Sequence, residues 1–257
     1  MASSTNNADT LFLIEEVLAA AKMIGESDFL VASKDDSGDL VTSWDYAVEK
    51  YLIGKIHDKY PGFDIVSEEF NPTEQLTENC FVIDPLDGTI NFAHGLPLWG
   101  IQVAIIRGGK VTASTIYLPK LYELFFANDD GAFMVQNPVG TAEDVCGRAK
   151  RIEVSKRACE KSLYLVEGHD KFAALGKLKQ TNRNWRYICC TAVNSAWVAC
   201  GRLGGTILRK DHIWDYVPGQ FLITQAGGVV INEKGAHIVA NCPEMAKLLL
   251  EDGRTVG

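Results

Sequence analysis

The segment IDPLDGT, residues 83–89, sets two aspartates three positions apart, follows the first with proline and the second with glycine, and ends on a hydroxyl. Pro85 disfavours helical backbone at Asp84 and keeps it extended, while Gly88 permits a tight turn into a helix beginning near Thr89. The carboxylates of Asp84 and Asp87 can then converge, with the Leu86 carbonyl free to point to the same place. Donors that are all oxygen suit hard cations such as Mg²⁺. Just beyond, the amides of Gly88 and Thr89 open a helix, whose N-terminus attracts anions. The same residue types also make good turns, so taken alone the segment fits a surface turn as well as a seat for metal and phosphate.

Further carboxylates stand where ligands gather in α/β proteins, outside the carboxyl ends of strands. FDIVSEE, 63–69, and CFVID, 80–84, read as short apolar strands that deliver Glu68, Glu69 and Asp84 at their ends. Asp215, in HIWDYVPGQFLITQAGGVV, stands at the start of a predicted helix, where an aspartate is ordinarily a cap. The polar loop KDDSGDLVTS, 34–43, is of a kind that could close over a site.

The elements that must position these residues follow from periodicity. Leu11, Ile14, Val17, Leu18 and Ala21 predict an amphipathic helix over 10–24, stopped by Gly25. A second helix is expected from about Trp44 to Lys59, capped by Ser43 or Asp45 and ended before Pro61-Gly62. WGIQVAIIRGGKVTASTIYLP predicts a hairpin around Arg107–Lys110, and LYELFFA and GAFMV continue the sheet. The aperiodic stretch 137–151 is the expected boundary between an N-terminal α+β lobe, 1–140, and a C-terminal α/β lobe, 150–257, packed as one compact unit. The second half alternates: strands near 163–167, 185–188, 204–208 and 228–231, with helices at 170–179, 191–201 and 214–226, a layered α/β pattern.

Composition narrows the function. The chain has 257 residues, 47% of them hydrophobic, enough for a substantial core. Its net charge of -8 comes without a basic stripe, which argues against nucleic acid or an anionic membrane as the main ligand and for a small molecule. The seven cysteines form no C-x-x-C pair, so neither a disulfide framework nor a zinc site is expected, and the adjacent Cys189 and Cys190 read as small apolar packing. No apolar run has membrane-spanning length and the N-terminus has no charged leader before a hydrophobic stretch, so a reduced cytoplasmic setting is the expectation.

Four strings, GDLVTSWDYAVEKYL, VSEE, IDPLDGTINFAHGLP and HIWDYVPGQFLITQAGG, resemble in this order, over nearly the whole chain, the inositol monophosphatase family of Mg²⁺-dependent, lithium-sensitive phosphatases. The resemblance implies an αβαβα sandwich, assembled as a homodimer. It implies that Glu69, Asp84 and the Leu86 carbonyl hold one metal ion and that Asp84, Asp87 and Asp215 hold a second, for two or three Mg²⁺ in all. Glu68 becomes support for the ligands, Gly88 and Thr89 the phosphate cradle, and Asp45 the partner of Thr89 in polarising the attacking water. Lys34 matches a lysine of the family's mobile loop.

Such a site answers the two obstacles of phosphate monoester hydrolysis, repulsion of the nucleophile and a poor leaving group, by clamping the attacking and leaving oxygens and acidifying a water. No covalent phosphoenzyme is required. The match thins at the substrate end. Inositol-specific members carry a carboxylate where this chain has Leu208, followed by Arg209-Lys210, and a G-T-A-type string reads Cys189-Cys190-Thr191-Ala192. Arg209 could therefore meet a second anionic group, as in fructose 1,6-bisphosphate, or be a solvated strand end. His94 and His212 read as packing or hydrogen-bonding residues. The alternatives to an inositol phosphatase are a sugar, histidinol or nucleotide phosphatase of the same superfamily, and a phosphatase-like binding or regulatory protein.

Overall fold

The computed structural model describes residues 4–25, 29–34, 40–166, 184–209, 212–233 and 236–254. Its first helix, α1 (Ser4–Met23), begins earlier than the apolar periodicity suggests, since nothing in TNNADT breaks a helix. Strands β1 (Val31–Ser33) and β2 (Leu40–Thr42) pair antiparallel, so the end of the 34–43 segment is strand rather than loop; residues 35–39 lie outside the described set. The N-cap of α2 (Ser43–Lys59) is Thr42, not Ser43 or Asp45. Asp45 stands at the third helical position and accepts from the Thr42 amide at 2.7 Å, a reciprocal cap that fixes its side chain before it meets any ligand.

Seven strands form the larger sheet in the order β3-β4-β5-β6-β7-β8-β9. They are β3 (Asp64–Ser67), β4 (Cys80–Asp87), β5 (Gly100–Arg107), β6 (Lys110–Leu118), β7 (Glu123–Asn128), β8 (Gly131–Gln136) and β9 (Lys150–Arg151), with only β3 and β4 parallel. The β5–β6 hairpin turns through Gly108 and Gly109, both at positive φ, as a two-residue turn requires. The stretch 137–151, expected to be irregular, holds a short helix, α4 (Ala142–Gly147), and β9, which returns to pair with β8. Thr141 caps α4 with Asp144 in another reciprocal box, local chemistry that a search for apolar periodicity does not register.

The second sheet runs β11-β10-β12-β14-β13, from β10 (Tyr164–Val166), β11 (Trp185–Arg186), β12 (Gly205–Arg209), β13 (Val229–Glu233) and β14 (Ala236–Ala240). The helix expected at 170–179 lies outside the described residues. The helices α5 (Thr191–Ala199) and α6 (Ile213–Gln225) pack between the sheets, where Ala192, Val193, Ala196, Leu222 and Ile223 meet Ile116 and Phe125 of one sheet and Leu165 and Val239 of the other. Outside the larger sheet, Phe12, Val17, Val48 and Leu52 of α1 and α2 cover Phe81, Ile83, Ile101 and Val103. On the far side, Met245, Ala246 and Leu249 of α7 (Pro243–Arg254) cover Tyr164, Ile207 and Ile238. The order of layers is therefore αβαβα.

This sandwiching explains why β4 and β5 are almost wholly apolar: both their faces are covered. Along β4 the odd residues Phe81 and Ile83 face α1 and α2, while Cys80 and Val82 face Ile213, Trp214 and Val217 of α6. Asp84 shares the second parity, and period two alone points it toward the start of α6.

Candidate active site

Asp84 and Asp87 would fall on opposite faces of a regular strand, since their spacing is odd. The pairing with β5 removes the conflict: Asp84 stands opposite Gln102 and Asp87 opposite Gly100, so β4 carries one extra residue between them. Such a bulge re-aims side chains, and Pro85, which cannot donate to a ladder, is suited to it. Gly88 then turns at φ 85°, and an added Cβ would lie 2.9 Å from the Leu98 carbonyl oxygen. Thr89 opens the short helix α3 (Thr89–Ala93).

Asp84, Asp87 and Asp215 offer carboxylate oxygens that all lie within 4.8 Å of one another. Asp215 comes from the first turn of α6, where its Oδ2 accepts from the His212 amide at 2.7 Å. Capping and convergence thus coexist in one carboxylate. Asp87 is held by the hydroxyl of Thr191 at 2.9 Å, by the Ala192 amide, and by the Cys190 thiol at 3.4 Å. Cys190 is thus packed against a candidate ligand as well as against the core.

Burial raises the pKa of Asp84 well above the usual carboxylate range, and the charges of Glu68, Asp87 and Asp215 add to it. Burial likewise raises Asp87, opposed by its donors from Ala192, Thr191 and Cys190. A crowded set of oxygen-only donors whose charges repel one another is what a hard divalent cation relieves, so the residues present fit such an ion.

Beside this cluster, Thr89 Oγ1 lies 3.1 Å from Asp45 Oδ1 and 2.9 Å from the Leu86 carbonyl oxygen, two acceptors for one proton. Asp45 is fully buried; that raises its pKa to about 6, and the bonds from Thr42 pull against the shift. Glu68 and Glu69 share the Lys34 ammonium, at 2.5 and 2.6 Å. Burial pushes Glu68 up to about 7 against the pull of Lys34. Burial alone would lower Lys34, yet its two carboxylate partners hold it above the ordinary lysine range.

Several site residues escape sequence reasoning. Glu49, buried in α2, accepts from Ser67 Oγ and from the amides of Glu69 at 2.8 Å and Phe70 at 2.7 Å, and so fixes the turn that carries Glu68 and Glu69. Asn91 donates to the carbonyls of Leu98 and Ile188, both at 2.8 Å, and ties α3 to the segment where Cys189 sits at φ 56°. Gln102 reaches Asp84 directly. Only the register opposite Asp84 could have flagged it. His94 bonds the Ile90 carbonyl of its own helix, and His212 pairs with Glu74 and stacks on Trp214. Arg209 ends β12 in register with Ala236.

The profile of the inositol monophosphatase family matches residues 7–256. The chain belongs to that family. "Nus factor SuhB" of Escherichia coli K12 is 31% identical over 245 residues, 91% of this chain and 90% of that protein. The "Fructose-1,6-bisphosphatase/inositol-1-monophosphatase" of Thermotoga maritima is 28% identical over 211 residues, 80% of this chain and 76% of that protein. Among solved structures, the inositol monophosphatase of Anabaena (Nostoc) superposes with a TM-score of 0.79 at 26% identity, covering 99% of this chain and 98% of the other. Family membership supports a phosphatase, and the αβαβα layers agree with the fold of these neighbours. Among the described residues no helix is long and apolar enough to cross a membrane.

Proposed function

We propose that the protein is a Mg²⁺-dependent phosphomonoesterase acting on inositol monophosphate or a similar polyol or sugar phosphate. The observation that carries this reading is the meeting of Asp215 with Asp84 and Asp87, from elements 128 residues apart in sequence, within 4.8 Å. Glu69, Asp84 and the Leu86 carbonyl would hold one ion, and Asp84, Asp87 and Asp215 a second. Bound divalent ions supply positive charge to the ester oxygens and acidity to a water.

The remaining steps belong to the chain. Thr89 can give its proton to Asp45, 3.1 Å away, rather than to the Leu86 carbonyl, which would be one of the oxygens holding an ion; Thr89 Oγ1 then offers its lone pairs to the attacking water. The water passes a proton to Thr89 as Thr89 passes its own to Asp45, whose buried carboxylate has the raised affinity such a base needs. The amides of Gly88 and Thr89 orient the phosphate, Glu68 holds Lys34 beside Glu69, and Lys34 would be free to meet the phosphate if an ion took its place on Glu69. The halves 1–140 and 150–257 act as one unit, since each contributes ligands to the same site. We place the enzyme in the cytoplasm as a homodimer.

The test is phosphate release by purified protein across inositol, sugar and nucleotide phosphates, with and without Mg²⁺ and added Li⁺. Turnover that needs Mg²⁺ and falls with Li⁺ supports the reading; a rate indifferent to Mg²⁺ overturns it. A bisphosphatase is the second reading, favoured by Leu208 in place of a hydroxyl-binding carboxylate, by Arg209 beside it, and by the double name of the Thermotoga relative. The SuhB similarity supports a third, a protein that binds other macromolecules; a folded protein that takes up divalent ions yet releases no phosphate would favour it.

A further inference from the structure

We propose that Gln102 is a positioning residue that presets Asp84 and Asp87 for divalent cations; this rests on the metal-dependent reading above. Gln102 is fully buried on β5, directly across the ladder from Asp84. Its Nε2 lies 3.2 Å from Asp84 Oδ2, 3.1 Å from Thr191 Oγ1 and 3.3 Å from the Asp215 carbonyl oxygen.

The donors and acceptors fix the direction of this chain of bonds. Thr191 has one proton, and it points at Asp87 Oδ2 at 2.9 Å, so the Thr191 oxygen accepts from Gln102. One amide therefore reaches Asp84 directly and Asp87 through a hydroxyl, while its third contact reaches the backbone of the residue that brings the third carboxylate. The same amide nitrogen touches parts of β4, α5 and α6, the three elements whose mutual placement defines the cluster. Its two hydrogens occupy one oxygen of Asp84 and orient Thr191, while Asp84 Oδ1 accepts from the Leu86 amide at 3.2 Å; the carboxylate is thereby held at both oxygens, with its remaining lone pairs and those of Asp87 left for cations. A neutral donor relieves carboxylate repulsion without adding a charge that would exclude an ion.

The experiment titrates Mn²⁺ into purified full-length protein without substrate, reading free Mn²⁺ by electron paramagnetic resonance, for wild type, Gln102→Met, Thr191→Val and the double variant. Thermal midpoints in chelator are read in parallel. Gln102→Met is expected to weaken Mn²⁺ binding about 10-fold, with Thr191→Val weaker in effect and the double variant falling short of the summed losses, as for groups acting through one chain. In turnover of a phosphate ester the metal activation constant should rise while kcat at saturating Mn²⁺ stays within a few-fold. Unchanged Mn²⁺ affinity with a lowered thermal midpoint, or fully additive losses, would overturn the inference. If Gln102→Met does not fold, Thr191→Val alone decides, since it removes only a hydroxyl. Wild-type protein that binds Mn²⁺ but releases no phosphate would refute the proposed function and leave this inference to the affinities; wild type that binds no Mn²⁺ would refute both.

Discussion

The floor of the site and its rim are built differently. On the floor, Asp84, Asp87, Asp45 and Thr89 are buried, rooted in β4, α2 and α3, and held by Gln102, Thr191, Thr42 and Leu86. At the rim, Lys34 follows a three-residue strand, and Arg209 is the last residue of β12. The floor's geometry is over-determined by the core, whereas the rim ends elements and can vary without disturbing it. Chemistry common to a family belongs on the first, and selectivity between esters on the second.

Substitutions of the floor should therefore cost far more than those of the rim. Asp84→Asn is expected to lower Mg²⁺-dependent kcat by about 10³-fold or more, since a bound ion supplies several kcal/mol to the transition state. The variant should remain folded by circular dichroism; near-normal turnover would erase the distinction between floor and rim. Thr89→Ala should cost about 10²-fold in kcat with little change in KM, the size of a lost proton-transfer group; a change in KM alone would assign Thr89 to binding.

One layer further out, Glu49→Gln leaves an amide where three donors expect a carboxylate. It should raise the Mg²⁺ concentration for half activation about 10-fold and cost about 2 kcal/mol of stability in urea unfolding. At the rim, Arg209→Ala should change monophosphate turnover only a few-fold, with a larger KM increase for a bisphosphate if Arg209 meets a second anion. Equal losses on both esters would return Arg209 to a solvated strand end.

The smallest effect concerns pH. Asp45 and Glu68, raised to about 6 and about 7, keep protons in the folded metal-free protein that the unfolded chain releases. The folded state then binds more protons than the unfolded one, so stability in chelator should fall as pH rises from about 4 through about 7. Saturating Mg²⁺ should flatten that slope, which thermal denaturation at a series of pH values would show; a metal-free protein most stable at pH 8 would contradict it.

How much of this was legible in sequence depends on how local each cause is. Asp84, Asp87 and Gly88 announce themselves because proline, glycine and the spacing act within one turn. Asp215 looks like a cap and does cap; its other role is visible only through the resemblance or in three dimensions. Gln102, Glu49 and Asn91 give no signal, and Thr191 is marked only as part of the altered string 189–192, since each works across separations of 18 to 113 residues that only the fold closes. Apolar alternation locates most strands but does not mark β14 and α7, and polar capping residues hide α4.

The most direct test is the anomalous difference density of a crystal soaked in Mn²⁺. Peaks between the carboxylates of Asp84, Asp87 and Asp215, and between Asp84 and Glu69, are expected, with the Lys34 ammonium moved off Glu69. A well-ordered site in which Asp215 stands away from Asp84 and Asp87, with no ion among them, would contradict the account.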